Sequence, residues 1–226
     1  SSLTKLISLE NTINSHGGKI FPLANMQSIR NYANMMNLRI HLDGSRLLNA
    51  CMALKMSPSE YVKLADTTMI CFSKGLGAPF GSILLGNATI MQQARKYRKW
   101  LGGGLHQSGI LAAAALYALN NNMSCLEADH KHAKMLGESL ANLKNNILQL
   151  MPVETNMVMF NVKNLGINAS DFCNLAKKNG VLVFPWDKFK VRAVTHLNVS
   201  CQNVSKAADV LLEIANNCLK SNFKEH

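Results

Sequence analysis

A lysine at the end of an apolar segment precedes a glycine-rich turn. Ser73 and Lys74 follow the run Thr68–Phe72, and Gly75 and Gly77 come next. A buried ammonium group must find partners or lose its proton, and lowered basicity is what a lysine needs to form a Schiff base. The glycines allow a sharp turn and a close approach to a planar ring. The pattern predicts a nucleophilic lysine, and the alternative is a strand-end lysine whose ammonium reaches water.

A second cluster, HLDGSR at positions 41–46, closes another apolar segment. Asp43 at a strand end can pair with a ring cation such as a pyridinium, and Arg46 can bind a carboxylate or a phosphate. His41 precedes Asp43 by two positions and is expected on the same strand face. The alternatives are an Asp–Arg pair that caps the next helix and a histidine packed in the core.

The elements that carry these residues follow an alternating pattern. Between Leu6 and Asn122, short apolar segments alternate with helical stretches, which predicts an α/β fold with a mostly parallel sheet covered by helices. The expected strands are Leu6–Leu9, Leu38–Leu42, Met69–Phe72 and Ser82–Leu85, with a crossover helix at Leu23–Met36. Because ligands of open α/β sheets gather at the carboxyl ends of strands, Asp43 is expected to project into a crevice.

A different pattern of predicted helices and strands begins after the polar tract Asn120–Asn122. We therefore expect residues 1–122 to belong to a large domain and residues 123–226 to form a small α+β domain. Its expected helices are Cys125–Leu143, Ala169–Lys178 and Ser205–Leu219, and its expected strands are Met157–Val162, Val181–Phe184 and Ala193–Val199. The run Ile110–Leu119 is too short to cross a bilayer and predicts a buried helix, so no membrane partner is expected.

Composition narrows the class of partner and compartment. The net charge is +11, but the basic residues are scattered, and the densest group, Arg95–Lys99, predicts a solvated helix face rather than a nucleic-acid site. Six cysteines lie far apart without a CxxC pair, so neither a disulfide framework nor a metal site is expected. A reducing, cytoplasmic location is the simpler interpretation.

The two clusters, with the glycine triplet Gly102–Gly104, resemble one family in wording, order and spacing. HLDGSRLLNA followed by ICFSKGLGAPFGSILLG is similar to the threonine aldolases, which are fold-type I pyridoxal-phosphate enzymes. The resemblance extends from Ser8–Thr12 (SLENT) to Val191–Ser200 (VRAVTHLNVS). It implies an aspartate-aminotransferase-like large domain with helices on both faces of the sheet, a small carboxy-terminal α+β domain and pyridoxal 5'-phosphate as the cofactor.

The resemblance also implies roles for residues of the cofactor site. Lys74 would hold the cofactor as a Schiff base, and Asp43 would bind the pyridine nitrogen. His41 would lie beside the cofactor. Lys99 matches a basic residue that the family places near the cofactor of the neighbouring subunit, with an ordinary helix lysine as the alternative. A homodimer or homotetramer with the active site at the subunit interface is therefore expected.

Two arginines match positions that bind the substrate in this family. Arg46 would hold the substrate carboxylate or a nearby anion. Arg192 would grip the α-carboxylate from the small domain, and the alternative for it is an exposed arginine on an edge strand. The implied reaction is retro-aldol cleavage of L-threonine or L-allo-threonine to glycine and acetaldehyde. A β-eliminating fold-type I lyase and a non-catalytic interaction subunit remain as alternatives.

Several positions depart from the family pattern. His106 replaces the arginine of GGGxRQ, Ile13 replaces the histidine of ENTH, and Asn198 replaces the aspartate of THxDV. Ser45 replaces an alanine, a change expected to matter little. The amino-terminal third of the family, with its phosphate-binding loop, has no counterpart in these 226 residues. We therefore expect a fragment or a degenerate copy that lacks the first part of the large domain and is inactive in isolation.

Overall fold

A computed structural model describes residues 3–143 and 146–222 of the chain. The chain forms two compact units, which are described separately. The first comprises Ser1–Ile13 and Ile20–Leu126, and the second comprises Asn14–Lys19 and Glu127–His226. The sequence suggested a division between residues 122 and 123. Leu126 stays with the first unit because it packs in a cluster with Leu76 and Ala118.

The first unit is built on a four-stranded sheet. Its strands are β1 (Leu6–Glu10), β2 (Arg39–Gly44), β3 (Thr67–Cys71) and β4 (Ser82–Gly86), in the spatial order β1-β2-β3-β4. The pairs β1–β2 and β2–β3 are parallel, and β3–β4 is antiparallel. The predicted α/β class with a mostly parallel sheet is confirmed, and every strand overlaps its predicted range.

The helices of the first unit include the predicted crossover helix. They are α1 (Leu23–Met35), α2 (Leu47–Leu54), α3 (Ser59–Val62), α4 (Ala88–Trp100) and α5 (Gly109–Asn121). The main core of this unit contains Met26, Ala33, Ile40, Leu42, Leu47, Cys51, Tyr61 and Leu64. Since Ile40, Leu42 and Gly44 are the buried residues of β2, the alternating side chains of His41 and Asp43 point to the other face of the sheet.

Helix α5 does not match its prediction as a buried helix. Only Ala115 and Ala118 are buried among its residues, whereas Ile110 is 78% and Tyr117 66% exposed. A helix that is apolar all round is normally buried on every side, but here a single stripe of small residues is covered. Within the described part of the chain, no helix is long and apolar enough to span a membrane.

The second unit has an antiparallel four-stranded sheet with helices. Its strands are β5 (Gln149–Leu150), β6 (Met157–Asn161), β7 (Phe184–Pro185) and β8 (Lys190–Val194), in the spatial order β5-β6-β8-β7. Its helices are α6 (Cys125–Ala141), α7 (Ala169–Lys178) and α8 (Cys201–Asn222). Helix α6 belongs to this unit from Glu127 onward. Its core is centred on Phe160 and Phe172, whose rings contact edge to face at 5.7 Å. The predicted α+β arrangement is therefore present.

Three of the boundaries that differ from the sequence prediction have a local explanation. Val181 lies outside β7 because its N–H donates to the carbonyl oxygen of Ala176 and so continues the end of α7. Strand β8 ends at Val194, because a turn follows in which the Val199 N–H donates to the His196 carbonyl oxygen over 2.8 Å.

The third difference is the start of α8, which begins at Cys201 rather than Ser205. Ser200 and Asn203 explain the earlier start. The Ser200 N–H donates to Asn203 Oδ1 over 3.0 Å, and the Asn203 N–H donates to Ser200 Oγ over 3.2 Å. This reciprocal cap satisfies donors that the first helical turn would otherwise leave unpaired.

Candidate active site

The carboxyl end of β2 brings His41 and Asp43 to one face of the first sheet. In the β2–β3 register, His41 lies opposite Thr67 and Asp43 opposite Met69. His41 Nδ1 lies 2.8 Å from Thr67 Oγ1, as expected for opposed side chains on one face. His41 is half-buried and hydrogen-bonded at the surface of the sheet, so it is not a fully packed core histidine.

Asp43 has one carboxylate oxygen in a local hydrogen bond. The Ser45 N–H donates to Asp43 Oδ1 over 2.9 Å, which stabilises the turn that leaves β2. Among residues 3–143 and 146–222, no hydrogen bond or ion pair involves Asp43 Oδ2. Asp43 can therefore keep its local bond and still accept a hydrogen bond from a ligand.

Arg46 occupies the residue before α2. Its carbonyl oxygen accepts from the Asn49 N–H over 3.0 Å, and its side chain makes no capping hydrogen bond to the helix. An Asp–Arg pair that caps the helix, the alternative weighed from the sequence, is thus not the role that Arg46 has here. Its side chain is half-buried.

Lys74 lies in a tight turn between β3 and β4. The Gly77 N–H donates to the Lys74 carbonyl oxygen and the Ala78 N–H to the Phe72 carbonyl oxygen, each over 2.9 Å. Gly77 has φ of +67°, a conformation that favours glycine. Because this turn carries the chain away from the sheet, Lys74 is exposed, and the expectation of a buried ammonium group is wrong.

The residue after Lys74 fixes this turn against the core. A Cβ atom at Gly75 would lie 2.6 Å from Leu126 Cδ2 and 3.2 Å from Asn49 Oδ1, so the backbone packs where no side chain fits. Both Leu126 and Asn49 are buried. A side chain at position 75 would therefore force Leu126 or Asn49 to shift.

An open hollow of about 800 Å³ contains Lys74. Its polar lining includes Ser45, Lys74, Arg98 and Ser108, and its apolar lining includes Met69, Phe72, Phe80 and Leu111. Within the described part of the chain, no carboxylate lines it. Two cations and several hydroxyls favour an anionic ligand. Asp43 lies opposite the lining residue Met69 in the β2–β3 register, but it is not itself among the described residues that line the hollow.

Arg98 was missed by the sequence analysis, which selected its neighbour Lys99. Arg98 lines the hollow, whereas Lys99 is exposed on α4 and is not among the described residues that line it. The glycine triplet contributes directly, since the Gly103 N–H donates to the Arg98 carbonyl oxygen over 2.8 Å and a Cβ at Gly103 would lie 3.0 Å from Arg98 Cγ. The basic residues 95–99 of α4 look alike in sequence, so no sequence feature distinguishes Arg98 from its neighbours.

Two serines were also given no role by the sequence. Ser45, expected to matter little, lines the hollow beside Lys74. Ser108 precedes α5 and lines the same hollow, while His106 is exposed and is not among its described lining residues. Only the folded arrangement distinguishes these positions from other surface serines.

Arg192 belongs to the second unit and lies on β8, which pairs with β6 on one side and β7 on the other. It is therefore not on an edge strand, and that alternative is wrong. Its Nη1 donates to Asn14 Oδ1 over 2.8 Å. Its guanidinium carbon lies 5.2 Å from the centre of the Phe184 ring and 4.9 Å from that of Trp186. Burial lowers the pKa of Arg192 below its usual range.

Comparison with known proteins identifies the family. The beta-eliminating lyase family model matches residues 1–164. The chain belongs to the beta-eliminating lyase family. Within that family, sequence comparison gives relatives that share more than a third of their aligned residues with it.

The chain is 37% identical over 202 residues to the low-specificity L-threonine aldolase 1 of Arabidopsis thaliana, and the match covers 89% of the chain and 56% of that protein. It is 38% identical over 205 residues to the low-specificity L-threonine aldolase of Escherichia coli K12, covering 91% of the chain and 59% of that protein. The chain thus spans less than two thirds of the length of these relatives.

A solved structure supports the fold. The threonine aldolase of Leishmania major superimposes with a TM-score of 0.72 at 18% identity, over 93% of this chain and 61% of that one. At that identity the likeness concerns the fold alone. The aspartate-aminotransferase-like, fold-type I architecture that the sequence predicted is confirmed.

Proposed function

We propose that the protein carrying this chain is a pyridoxal-phosphate-dependent aldolase that cleaves L-threonine and L-allo-threonine to glycine and acetaldehyde. The observation that carries the proposal is the hollow that Lys74 and Arg98 both line, together with Ser45 from the turn after β2. The aldolase names of its relatives support the substrate class.

The residues of the hollow, taken together with Asp43 at the end of the neighbouring strand β2, fit pyridoxal phosphate in their chemistry. A primary amine can condense with an aldehyde, a carboxylate oxygen without a protein partner can accept from a ring N–H, and a guanidinium with hydroxyls can bind a phosphate. Lys74, Asp43, Arg98 and Ser108 supply these groups. When bound, the cofactor supplies an electron sink for the pair of electrons left when the Cα–Cβ bond breaks.

Each cofactor-site residue then has one task. Lys74 Nζ would hold the cofactor by its aldehyde carbon. Asp43 Oδ2 would keep a proton on the pyridine nitrogen while Oδ1 keeps its bond to the Ser45 N–H. His41 would lie beside the ring, held by its hydrogen bond to Thr67. Arg98 would face the phosphate.

The two substrate arginines would hold the carboxylate of the amino acid. We propose this role for Arg46, which follows the Asp43 turn, and for Arg192 in the second unit. Holding the carboxylate orients the Cα–Cβ bond, and such positioning contributes a large part of catalysis in general.

A homodimer or homotetramer with the site at the subunit interface is part of this proposal. Helix α4 has no buried residue, and it ends in Trp100, which is 74% exposed, followed by Leu101, which is 86% exposed. Exposed apolar surface of this kind is typical of protein interfaces. Lys99 on the same helix would reach the neighbouring subunit's cofactor. Sizing of the intact protein tests this, since a fully active monomer would contradict it.

The remaining parts of the proposal concern partners and compartment. Its partner is a small amino-acid substrate, with no role for nucleic acid or a membrane. A cytoplasmic location is supported by the six cysteines, all of which are unpaired thiols.

A product assay tests the proposed reaction. The full-length protein with pyridoxal phosphate and L-threonine should release acetaldehyde and glycine in equal amounts. A keto acid with ammonia would instead identify a β-eliminating lyase. A protein that takes up no cofactor would identify a non-catalytic interaction subunit, and either result would overturn the aldolase proposal.

A further inference from the structure

Two aromatic side chains flank Arg192 within the second unit. In the β7–β8 register, Phe184 lies opposite Arg192, and Trp186 follows Phe184 by two positions on the same face. The guanidinium carbon is 5.2 Å from the Phe184 ring centre and 4.9 Å from the Trp186 ring centre. Both distances are within the range of cation–π attraction, which favours a fixed position of the guanidinium beside the rings.

A distant segment supplies a third contact. Gly17 and Gly18 have φ of +70° and +76°, and a Cβ at Gly17 would lie 3.3 Å from Met159 Cβ. Met159 is the partner of Arg192 in the β6–β8 register. The glycines therefore allow residues 14–19 to pack closely on β6 beside Arg192, where Asn14 Oδ1 accepts from Arg192 Nη1 over 2.8 Å.

These contacts leave a defined part of the guanidinium for a ligand. Arg192 Nε is buried and has no hydrogen-bond partner among the described residues. Nη1 uses one of its protons on Asn14, and Nη2 makes no hydrogen bond within the described part of the chain. Because guanidinium N–H groups point along its plane, the outer Nη1–Nη2 edge suits a planar carboxylate bound by two parallel hydrogen bonds.

We propose that Phe184, Trp186 and Asn14 are positioning residues that hold Arg192 ready for the α-carboxylate of the amino-acid substrate. They act through Arg192 and do not touch the substrate. An arginine whose rotamers are already fixed loses less freedom when it binds its ligand, so its affinity rises without a new contact. The inference rests on the proposed function, because it assigns the Arg192 ligand to the substrate of that reaction.

The test compares the binding of two amines, of which glycine has a carboxylate and methylamine has none. Glycine and methylamine are titrated separately into the full-length protein loaded with pyridoxal phosphate, and the change in visible absorbance of the cofactor gives each dissociation constant. Glycine should bind more tightly, and Arg192→Leu should remove its advantage. If glycine has no advantage in the unmodified protein, the proposed substrate site fails before the positioning residues are tested.

The positioning residues are then tested by substitution. Trp186→Leu should raise the dissociation constant of glycine roughly tenfold, which is the effect of losing one strong cation–π contact. The dissociation constant of methylamine should not change. Trp186→Phe keeps an aromatic ring and should stay near the unmodified affinity. Phe189→Leu is the matched control, because Phe189 contacts Lys188 at 5.2 Å in the same unit but takes no part in holding Arg192.

Asn14→Ala, in a separate segment, gives an independent result if Trp186→Leu fails to fold. This variant should also bind glycine more weakly while its affinity for methylamine is unchanged. Steady-state kinetics should show a raised KM for L-threonine with a smaller change in kcat. The proposal would be overturned if Trp186→Leu and Asn14→Ala both fold and both bind glycine with unchanged affinity. Equal weakening of glycine and methylamine would also overturn it, because that pattern indicates general damage to the fold.

Discussion

Gly44 and Met69 approach so closely that a Cβ atom on Gly44 would lie 2.6 Å from the Met69 carbonyl oxygen. The same atom would lie 3.1 Å from Leu47 Cβ. Since Gly44 is buried at the end of β2, neither neighbour can move without disturbing the sheet or α2. This contact holds the strand end that presents Asp43 against the strand that leads to Lys74.

The first prediction is that Gly44→Ala destabilises the fold by about 1–3 kcal/mol, the usual effect of overpacking a well-packed site. Thermal or urea unfolding measures the change. Gly109→Ala is the control, because a Cβ at Gly109 meets nothing within 4 Å and alanine favours helix α5. Equal stability of the two variants would show that the Gly44 contact relaxes freely.

A second prediction concerns Asp66, which accepts hydrogen bonds from Arg30 Nη1 and the Ile40 N–H, each over 2.8 Å, and from Arg39 Nη1 over 3.0 Å. Burial alone would raise the pKa of Asp66, but these bonds outweigh it and hold the pKa below its usual 3.8. A lowered folded-state pKa means that the ionised Asp66 stabilises the fold above the unfolded-state pKa. That stabilisation is lost as the pH falls through the folded-state pKa.

Asp66→Asn should therefore cost about 1–3 kcal/mol at neutral pH and flatten the dependence of unfolding free energy on pH below about 4. Urea unfolding at a series of pH values measures both effects. Asp187→Asn is the comparison. The pKa of Asp187 is also lowered, chiefly by the hydrogen bond from the Phe189 N–H, but its side chain is exposed, so this substitution should cost less stability than Asp66→Asn. A parallel pH profile in Asp66→Asn and the unmodified protein would contradict the assignment.

The first sheet was largely predictable from sequence. Each strand of that sheet contains a short apolar segment, as predicted. Asp43 lies at the end of β2, and Lys74 follows β3. The exposure of Lys74 was not predictable, because it depends on how the turn to Ala78 closes on the Phe72 carbonyl oxygen.

Some contacts within each unit are recorded by no local pattern. Asn14 and Arg192 are 178 positions apart, and their hydrogen bond requires the close packing of Gly17 on Met159. Arg98 differs from its basic neighbours only in the direction that its side chain takes from α4. Periodicity and composition describe single elements, so they give no information about such distant pairs.

A third prediction is that Arg98 binds the phosphate of the cofactor. Arg98→Gln should lower the affinity for pyridoxal 5'-phosphate about 10- to 100-fold, as expected for loss of a charged hydrogen bond. The affinity for pyridoxal, which has no phosphate, should not change. Arg95→Gln, an exposed position on the same helix, is the control and should change neither affinity. Weakening of both ligands by Arg98→Gln would indicate that Arg98 supports the ring or the fold instead.

A fourth prediction is that the chain of 226 residues on its own binds pyridoxal phosphate weakly and has no aldolase activity. Lys74, Leu105 and Ser108, which line the hollow, are all exposed, so water reaches a ligand there and screens the attraction of its cations. Spectroscopic titration of the purified chain measures this. Stoichiometric uptake at micromolar cofactor would contradict it.

The central claim is that Lys74 holds the cofactor. The most direct measurement is borohydride reduction of the full-length protein with pyridoxal phosphate, followed by peptide mass spectrometry, because reduction fixes the linked lysine permanently. The label should be found on the peptide that contains Lys74, and Lys74→Ala should lose both the label and the visible absorbance, whereas Lys63→Ala, at an exposed lysine paired with Glu60, should keep both. A label on another lysine, or an unchanged chromophore in Lys74→Ala, would contradict the account.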